Sequence, residues 1–371
     1  MDYFFDPTRF PSFLVPFVTL SYSVDPPLNP DSFPDSSYYD IGYRDVCLIV
    51  TLIAIMAVLR DAARIFVLEP FAHWKLTRDW RRRQALKSGS STPDSKPRPN
   101  NTVGCDANSK VNEPVAINSS AEKLVAVRPP ENSPSARRIR HSVTRFAEQG
   151  WQVIYYTTQW SLGMYIHYYL PSNLWARYPH VPLAGIVKFY YLMQISLYVH
   201  AVLLLNAEAR RKDHWQMMAH HVVTISLIVG SYYYGFTRVG CLIMVLMDWC
   251  DIFFPVAKML RYLSYQIACD VTFVWWMLSW FVTRHVLFCK VIASAYWGVT
   301  TQLEFGQFER GYWLTKEVHT TLVVLLVILE IIQSIWSYLI FGVAYRVLKG
   351  EGAEDSRSDD EGEDEQVRKD R

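Results

Sequence analysis

The chain has 371 residues, 51% apolar and 15% aromatic, with 37 Lys and Arg against 35 Asp and Glu for a net charge of +2. That balance is misleading, because a basic loop and an acidic tail cancel. No nucleic-acid partner is expected. The apolar residues fall into blocks of about twenty, the length a helix needs to cross the hydrocarbon core of a bilayer. The expected fold class is therefore an all-α polytopic membrane protein with about seven transmembrane helices.

Residues 1–43 are rich in Pro, Asp and Tyr. No basic region precedes the first apolar run, so no cleavable signal peptide is expected. The run 10–24 is short and broken by Pro11 and Pro16, which predicts an interfacial or extended segment. The first span is expected over 44–69, with Arg60, Asp61 and Arg64 at an end where long basic side chains reach headgroups or protein.

Over 70–145 the composition turns to Ser, Pro, Asn and charge, with about fifteen Lys and Arg against about six acids. Most of this loop is expected to be disordered. Its ends, Arg81-Arg82-Arg83 and Arg137-Arg138-Ile139-Arg140, flank spans, which places it in the cytosol by the positive-inside rule. Asn100 and Asn118 match the N-x-Ser/Thr sequon and on this topology stay unmodified.

Further spans are expected at 148–170, 183–206, 215–234, 239–263, 270–290 and 318–346. The polar residues 171–182, 235–238 and 291–317 then fall in the lumen with few positive charges. Arg210, Arg211, Lys212, Lys258 and Arg261 fall on the cytosolic side. The N-terminus is lumenal and the acidic tail 348–371 cytosolic. Ser356 and Ser358 each have an acidic residue three positions later, a pattern that suits an acid-directed kinase. Charge alone equally explains a solubilising tail.

Five cysteines (Cys47, Cys241, Cys250, Cys269, Cys289) lie in or beside apolar blocks and Cys105 lies in the polar loop. No C-x-x-C pair is present, so neither a disulfide framework nor a zinc site of that kind is expected.

The chemistry concentrates in two of the spans. His220 and His221 open one; Asp248 and Asp251 lie in the next. Ionisable side chains at membrane depth are costly and mark function. Positions i and i+3 share a helix face, so the two carboxylates can address one space. Adjacent residues diverge by about 100°, so the two imidazoles cannot face one point equally.

Three readings follow: a hydrogen-bonded cluster that only holds helices together, a metal site, or acyl or proton transfer. His214 precedes the pair by six residues, which fits no histidine box, and adjacent helical histidines chelate one ion poorly; no metal is expected. A neutral imidazole is a good general base and a competent nucleophile, and a carboxylate on its far nitrogen would fix the tautomer. No activated Ser or Cys motif is evident, and Cys250 lies on another helix face. Arg210, Arg211 and Lys212 stand ready for the phosphates of a cofactor such as coenzyme A, or serve only to set topology.

The run RRKDHWQMMAHHVVTISLIVGSYYYGFTRVGCLIMVLMDWCDIFFPVAKMLRYL resembles the Lag motif of ceramide synthases, enzymes with a TLC domain. The matching features are RRKD, the HH pair followed by T, SY…FTR…G, and D-x-x-D. VLEPFAHW, LWARYPH, LEFGQFE and AYRVLKG fit as well, and SRSDDEGEDE resembles the acidic serine tail of fungal members.

The resemblance covers about 44–350. It implies a TLC catalytic domain over 146–347, six helices around a central pocket open to the cytosol, and one helix before them. It further implies N-acylation of a long-chain sphingoid base by fatty acyl-CoA in the endoplasmic reticulum membrane, with no bound cofactor. His220, His221, Asp248 and Asp251 would be the active-site residues, and 291–317 would bear on acyl-chain selection. Need for a small regulatory membrane subunit, or for a homo- or heterodimer, stays open. A non-enzymatic TLC-domain lipid-sensing or translocation-associated protein, and more distantly a proton-coupled transporter, are the alternatives. Three departures stand out. Asp248-Trp249-Cys250-Asp251 replaces the usual D-x-S-D, the basic loop is long, and the homeobox-like domain of many animal members is absent.

Overall fold

The structure is a computed structural model that describes residues 11–89, 129–130, 133–207, 213–303, 305 and 314–349. Arg210, Arg211, Lys212, Ser356, Ser358, Cys105, Asn100 and Asn118 lie outside the described residues, as does most of the basic loop.

The described chain forms an α-helical bundle. A short turn α1 (Val15–Val18) is followed by strands β1 (Ser23–Val24) and β2 (Tyr38–Tyr39). Helix α2 (Asp45–Ala63) runs through a wide π-helical turn (Arg64–Leu68) into α3 (Glu69–Gly89). Then come α4 (Pro134–Tyr169), β3 (Leu183–Ala184), α5 (Gly185–Ala207), α6 (His214–Tyr233) and α7 (Thr237–Tyr262). Helix α8 (Gln266–Phe281) continues through a second π-helical turn (Val282–Leu287) into α9 (Phe288–Gln302), and α10 is Lys316–Leu348. Counting the π-interrupted helices as one each, these make seven long helical segments.

Five of them are long and apolar enough to cross a membrane: Asp45–Leu86, Gly185–Ala207, Thr237–Tyr262, Gln266–Gln302 and Lys316–Arg346. The protein is therefore an all-α polytopic membrane protein. The remaining two, α4 and α6, also fall on expected spans. Polar residues dilute both: α6 carries His214, Gln216 and the histidine pair, and α4 begins in the basic stretch.

Helix boundaries depart from expectation in three places. The basic ends of 70–145 are helical, because α3 and α4 pack through Leu68, Ala72, Val143, Phe146 and Ala147. Ser133 starts α4 by accepting a hydrogen bond at Oγ from the Ala136 amide (3.2 Å), with Pro134 at the first helical position. Helix α9 runs to Gln302, beyond the expected end at 290, because Val291, Ala295 and Val299 bury one face at helical spacing.

One end of the bundle is capped. Strands β1, β2 and β3 form a small antiparallel sheet, with Val24 opposite Tyr38 and Tyr39 opposite Leu183, that ties the N-terminal segment to the start of α5. Residues 171–182 cover the same end: the Tyr178 hydroxyl donates to Tyr234 O (2.6 Å) and Trp175 Nε1 donates to Ser294 Oγ (3.0 Å). The other end, where α3, α4 and the α7–α8 turn meet, is called the open end.

Close helix approach sets the interior. A methyl group on Gly240 would lie 1.7 Å from the Tyr191 hydroxyl, and one on Gly163 2.5 Å from that of Tyr190. Glycine at these two positions lets α5 tyrosines pack against the backbones of α7 and α4.

Candidate active site

Four expected residues come from two helices that the fold brings to one region, and other helices supply residues that sequence inspection had not joined to them. On α6, His221 is buried with its ring 6.0 Å from that of Tyr198 on α5. His220 turns instead to α10, its ring 5.2 Å from Trp336. The two imidazole centroids are 5.4 Å apart. The helical divergence expected of adjacent residues is thus realised as contacts with two different neighbours.

The Nδ1 atoms of both histidines are buried and take no hydrogen bond. In water each would be solvated, so leaving them bare costs on the order of 1–3 kcal/mol apiece. Bare ring nitrogens also occur at His167, His180 and His214; this pair differs in being adjacent.

On α7, Asp248 is 1% exposed. Its Oδ2 accepts from Gln194 Nε2 (2.7 Å), which itself lies 3.3 Å from the Tyr190 hydroxyl. Asp251 accepts at Oδ1 from Arg284 Nη2 (2.7 Å). Arg284 sits in the second π-helical turn and also donates to Met247 O (3.0 Å) and Cys250 Sγ (3.1 Å). Its guanidinium lies over Trp280, 4.5 Å from the ring centroid.

The sequence pattern leads to the expectation of a carboxylate on the far nitrogen of a histidine. Among the described residues neither carboxylate hydrogen-bonds to either imidazole. The reason is competition: a buried guanidinium without a counter-ion is more costly than a bare neutral imidazole nitrogen, so Arg284 takes Asp251. Arg284 also lies within electrostatic range of His220. Asp248 and Asp251 share the surroundings of Tyr156 and Tyr198, which makes the region an aromatic and polar cluster.

Cys250 stands where the motif usually has serine. It is buried against Trp276 and Trp280 and its sulfur accepts from Arg284, so it is part of the guanidinium's socket. Trp249 packs outward on Trp160 of α4 (4.7 Å).

Arg284, Gln194, Tyr198 and Trp336 were not picked out from sequence. Arg284 carried a signal, since it is a lone arginine in an apolar stretch. Gln194, Tyr198 and Trp336 carried none. Among the described residues no three His, Cys, Asp or Glu side chains are grouped to hold a metal ion. A partly open apolar space of about 70 Å³ lies nearer the capped end, between Leu227, Ile228, Phe236, Val239, Ala295 and Leu326. It shares α6 and α7 with the histidine pair and the carboxylates but is not lined by them.

A family profile described as TLC domain matches residues 145–342. The chain belongs to the TLC domain family. The matched TLC domain runs from α4 into α10 and contains every residue of the site above. Sphingosine N-acyltransferase lag1 of Schizosaccharomyces pombe is 41% identical over 242 residues, covering 62% of this chain and 61% of that protein. Ceramide Synthase FUM18 of Gibberella moniliformis is 37% identical over 255 residues, 60% of each. Ceramide synthase 4 of Bos taurus is 32% identical over 224 residues, 58% of this chain and 54% of that protein. The chain thus spans about three fifths of the length of the first two of these relatives.

Proposed function

We propose that this protein is a ceramide synthase, an acyltransferase that moves a fatty acyl group from acyl-CoA to the amine of a long-chain sphingoid base. The observation that carries the reading is the pair of buried imidazoles with bare Nδ1 atoms, set in a TLC-domain bundle beside two carboxylates held by Gln194 and Arg284. The names of the relatives supply the substrate classes.

In this proposal the basic flanks put the open end in the cytosol and the capped end in the lumen of the endoplasmic reticulum, with seven crossings. Acyl-CoA arrives from the cytosol with its phosphates at Arg210, Arg211 and Lys212. No bound cofactor is needed. His220 attacks the thioester carbonyl, the carbon–sulfur bond breaks, and CoA leaves as the thiol, taking the ring N–H proton that the acylated His220 sheds. The amine of the base then attacks the acyl-imidazole, the bond from carbonyl carbon to ring nitrogen breaks, His221 takes the amine proton and passes it to His220, and the amide is released with both histidines neutral. Asp248 and Asp251 steady the positive charge that develops on the imidazoles; catalytic hydrogen bonds commonly tighten only once substrate is bound. Phosphorylation of Ser356 and Ser358, and a regulatory subunit or dimer, belong to the same proposal as controls on activity.

The test is an assay of purified protein with acyl-CoA and sphinganine, beside His220→Ala and Asp251→Asn. Ceramide from the wild type and loss in both variants is expected. Equal product from all three, or none from any, would sink the assignment, and the second result would favour a lipid-sensing TLC protein.

A further inference from the structure

Helix α2, the first π-helical turn and α3 run on as one helical segment, Asp45–Leu86, of 42 residues. At 1.5 Å per residue that is about 63 Å, about twice the thickness of the hydrocarbon core, so its second half lies beyond that core. The composition turns accordingly: the apolar run ends at Leu68, and Lys75, Arg78, Arg81, Arg82 and Arg83 follow.

A groove of about 750 Å³ opens between this second half and α4. Ile65, Trp74 and Val143 give it apolar walls, and His73, Arg78 and Arg81 give it basic ones. Ile65 and Trp74 are about half exposed, which puts the groove on the outer face of the bundle. Arg78 and Arg81 are three residues apart and share a helix face. The Arg78 guanidinium lies 5.3 Å from the Trp74 ring centroid. The two acids of α3 are answered by other cations: Glu69, in the groove wall, pairs with Arg64 (3.0 Å), and Asp79 pairs with Lys75 (3.1 Å). Two guanidiniums therefore line the groove beside one carboxylate that already has its own cation.

We propose that this groove binds an anionic phospholipid, its phosphate gripped by Arg78 and Arg81 and the start of its acyl chains laid on Ile65 and Trp74. The planar fork of arginine meets phosphate oxygens two at a time, and tryptophan favours the headgroup level of a bilayer. Along the helix, Ile65, then Trp74, then Arg78 and Arg81 follow the order of chain, ester region and phosphate in one leaflet. Two other occupants fit less well. The acidic segment 350–371 has the charge, but brings only Ala353 and Val367 to the apolar walls. A free phosphate leaves those walls bare. Every lining residue precedes residue 145, where the TLC-domain match begins, so the site does not rest on the acyltransferase reading. An occupied groove ties α3 to α4, whose Trp160 packs on Trp249 between the two carboxylates in sequence.

The test is native mass spectrometry of the full-length protein with phosphatidylinositol, phosphatidylcholine and inorganic phosphate as probes. Phosphatidylcholine carries the same phosphate with its own cation beside it, so phosphatidylinositol should be retained about tenfold more tightly. Arg78→Gln/Arg81→Gln should abolish that preference. Arg82→Gln/Arg83→Gln, an equal change of charge on residues that do not line the groove, should keep it, and so should a chain lacking 350–371. Equal retention of the two lipids by the wild type overturns the site, and this arm needs no variant to fold. Equal loss in both double variants overturns it in favour of diffuse surface charge. Displacement of the lipid by an equal concentration of inorganic phosphate overturns it in favour of a phosphate site without a lipid. Phosphatidylinositol binding that appears only when 350–371 is removed overturns it in favour of the acidic segment.

Discussion

At the capped end, every buried charge has a partner of opposite sign. Lys188 is fully buried, yet its Nζ lies 2.8 Å from Asp45 Oδ1 and donates to Ser21 O (2.9 Å) and Asp40 O (2.6 Å). Asp45 is further bonded by the Tyr232 hydroxyl (2.8 Å). Arg238 donates to Asn173 O and Ala176 O (2.9 Å each) and pairs with Asp31, which also meets Arg177. In the histidine region the carboxylates are equally well held, but the imidazoles are not. Both regions bury ionisable groups at similar expense. The capped end leaves one ring nitrogen bare, His180 Nδ1, whereas the histidine region leaves two on adjacent residues. Pairing of every buried charge makes the cap a clamp that fixes the N-terminal segment to α5, α6 and α7, whereas the adjacent bare imidazoles are what the proposed chemistry would use.

This contrast can be broken by experiment. If it holds, changes in the histidine region remove activity and spare stability, and changes in the cap do the reverse. The largest effect is expected for His221→Ala, a fall in turnover of about 10²–10⁴-fold as for loss of a general base. Its thermal unfolding should stay close to wild type, because a bare Nδ1 leaves with the ring; a cooperative loss of helix by circular dichroism would place His221 in the clamp instead.

Next comes Lys188→Met, which strands Asp45 and should destabilise by about 3–5 kcal/mol. The double variant Lys188→Met/Asp45→Leu should recover much of that loss. Chemical denaturation in detergent reads both, and a double variant no better than the single would argue against a mutually compensating pair.

His180 sharpens the comparison through pH. Burial first, then the nearby Arg238, lowers its pKa from 6.5 to about 4. The native chain therefore keeps it neutral while the unfolded chain gains a proton as pH falls. Stability is fully present above about pH 6.5 and declines towards pH 4, by at most about 3 kcal/mol from this group. His180→Gln should flatten the unfolding midpoint over that window; an unchanged slope would rule out His180 as its source.

The smallest effect is expected at the open end. Ser133→Ala removes the cap of α4 and should cost about 1 kcal/mol with no change in substrate KM. Hydrogen exchange confined to the first turn of α4 would report it, and a change spread over the bundle would contradict a local cap.

By itself the sequence determined the class of the protein and the approximate location of its apolar spans, though not the helical ends of the basic loop or the reach of α9 to Gln302. Blocks of about twenty apolar residues admit only helices in a bilayer, since every backbone amide must be satisfied within its own segment. It also singled out His220, His221, Asp248 and Asp251 as candidates, because charge at membrane depth is visible in one dimension. Partnership was not visible. Arg284 lies 33 positions after Asp251, and Lys188 lies 143 after Asp45, and no local period relates such pairs. The tertiary structure alone decided that Asp251 goes to Arg284 rather than to an imidazole, that Gln194 holds Asp248, and that adjacent histidines face α5 and α10. Each is a choice among partners made by helix packing, where burial of a charge forces the nearest opposite charge to answer it and leaves the neutral rings bare.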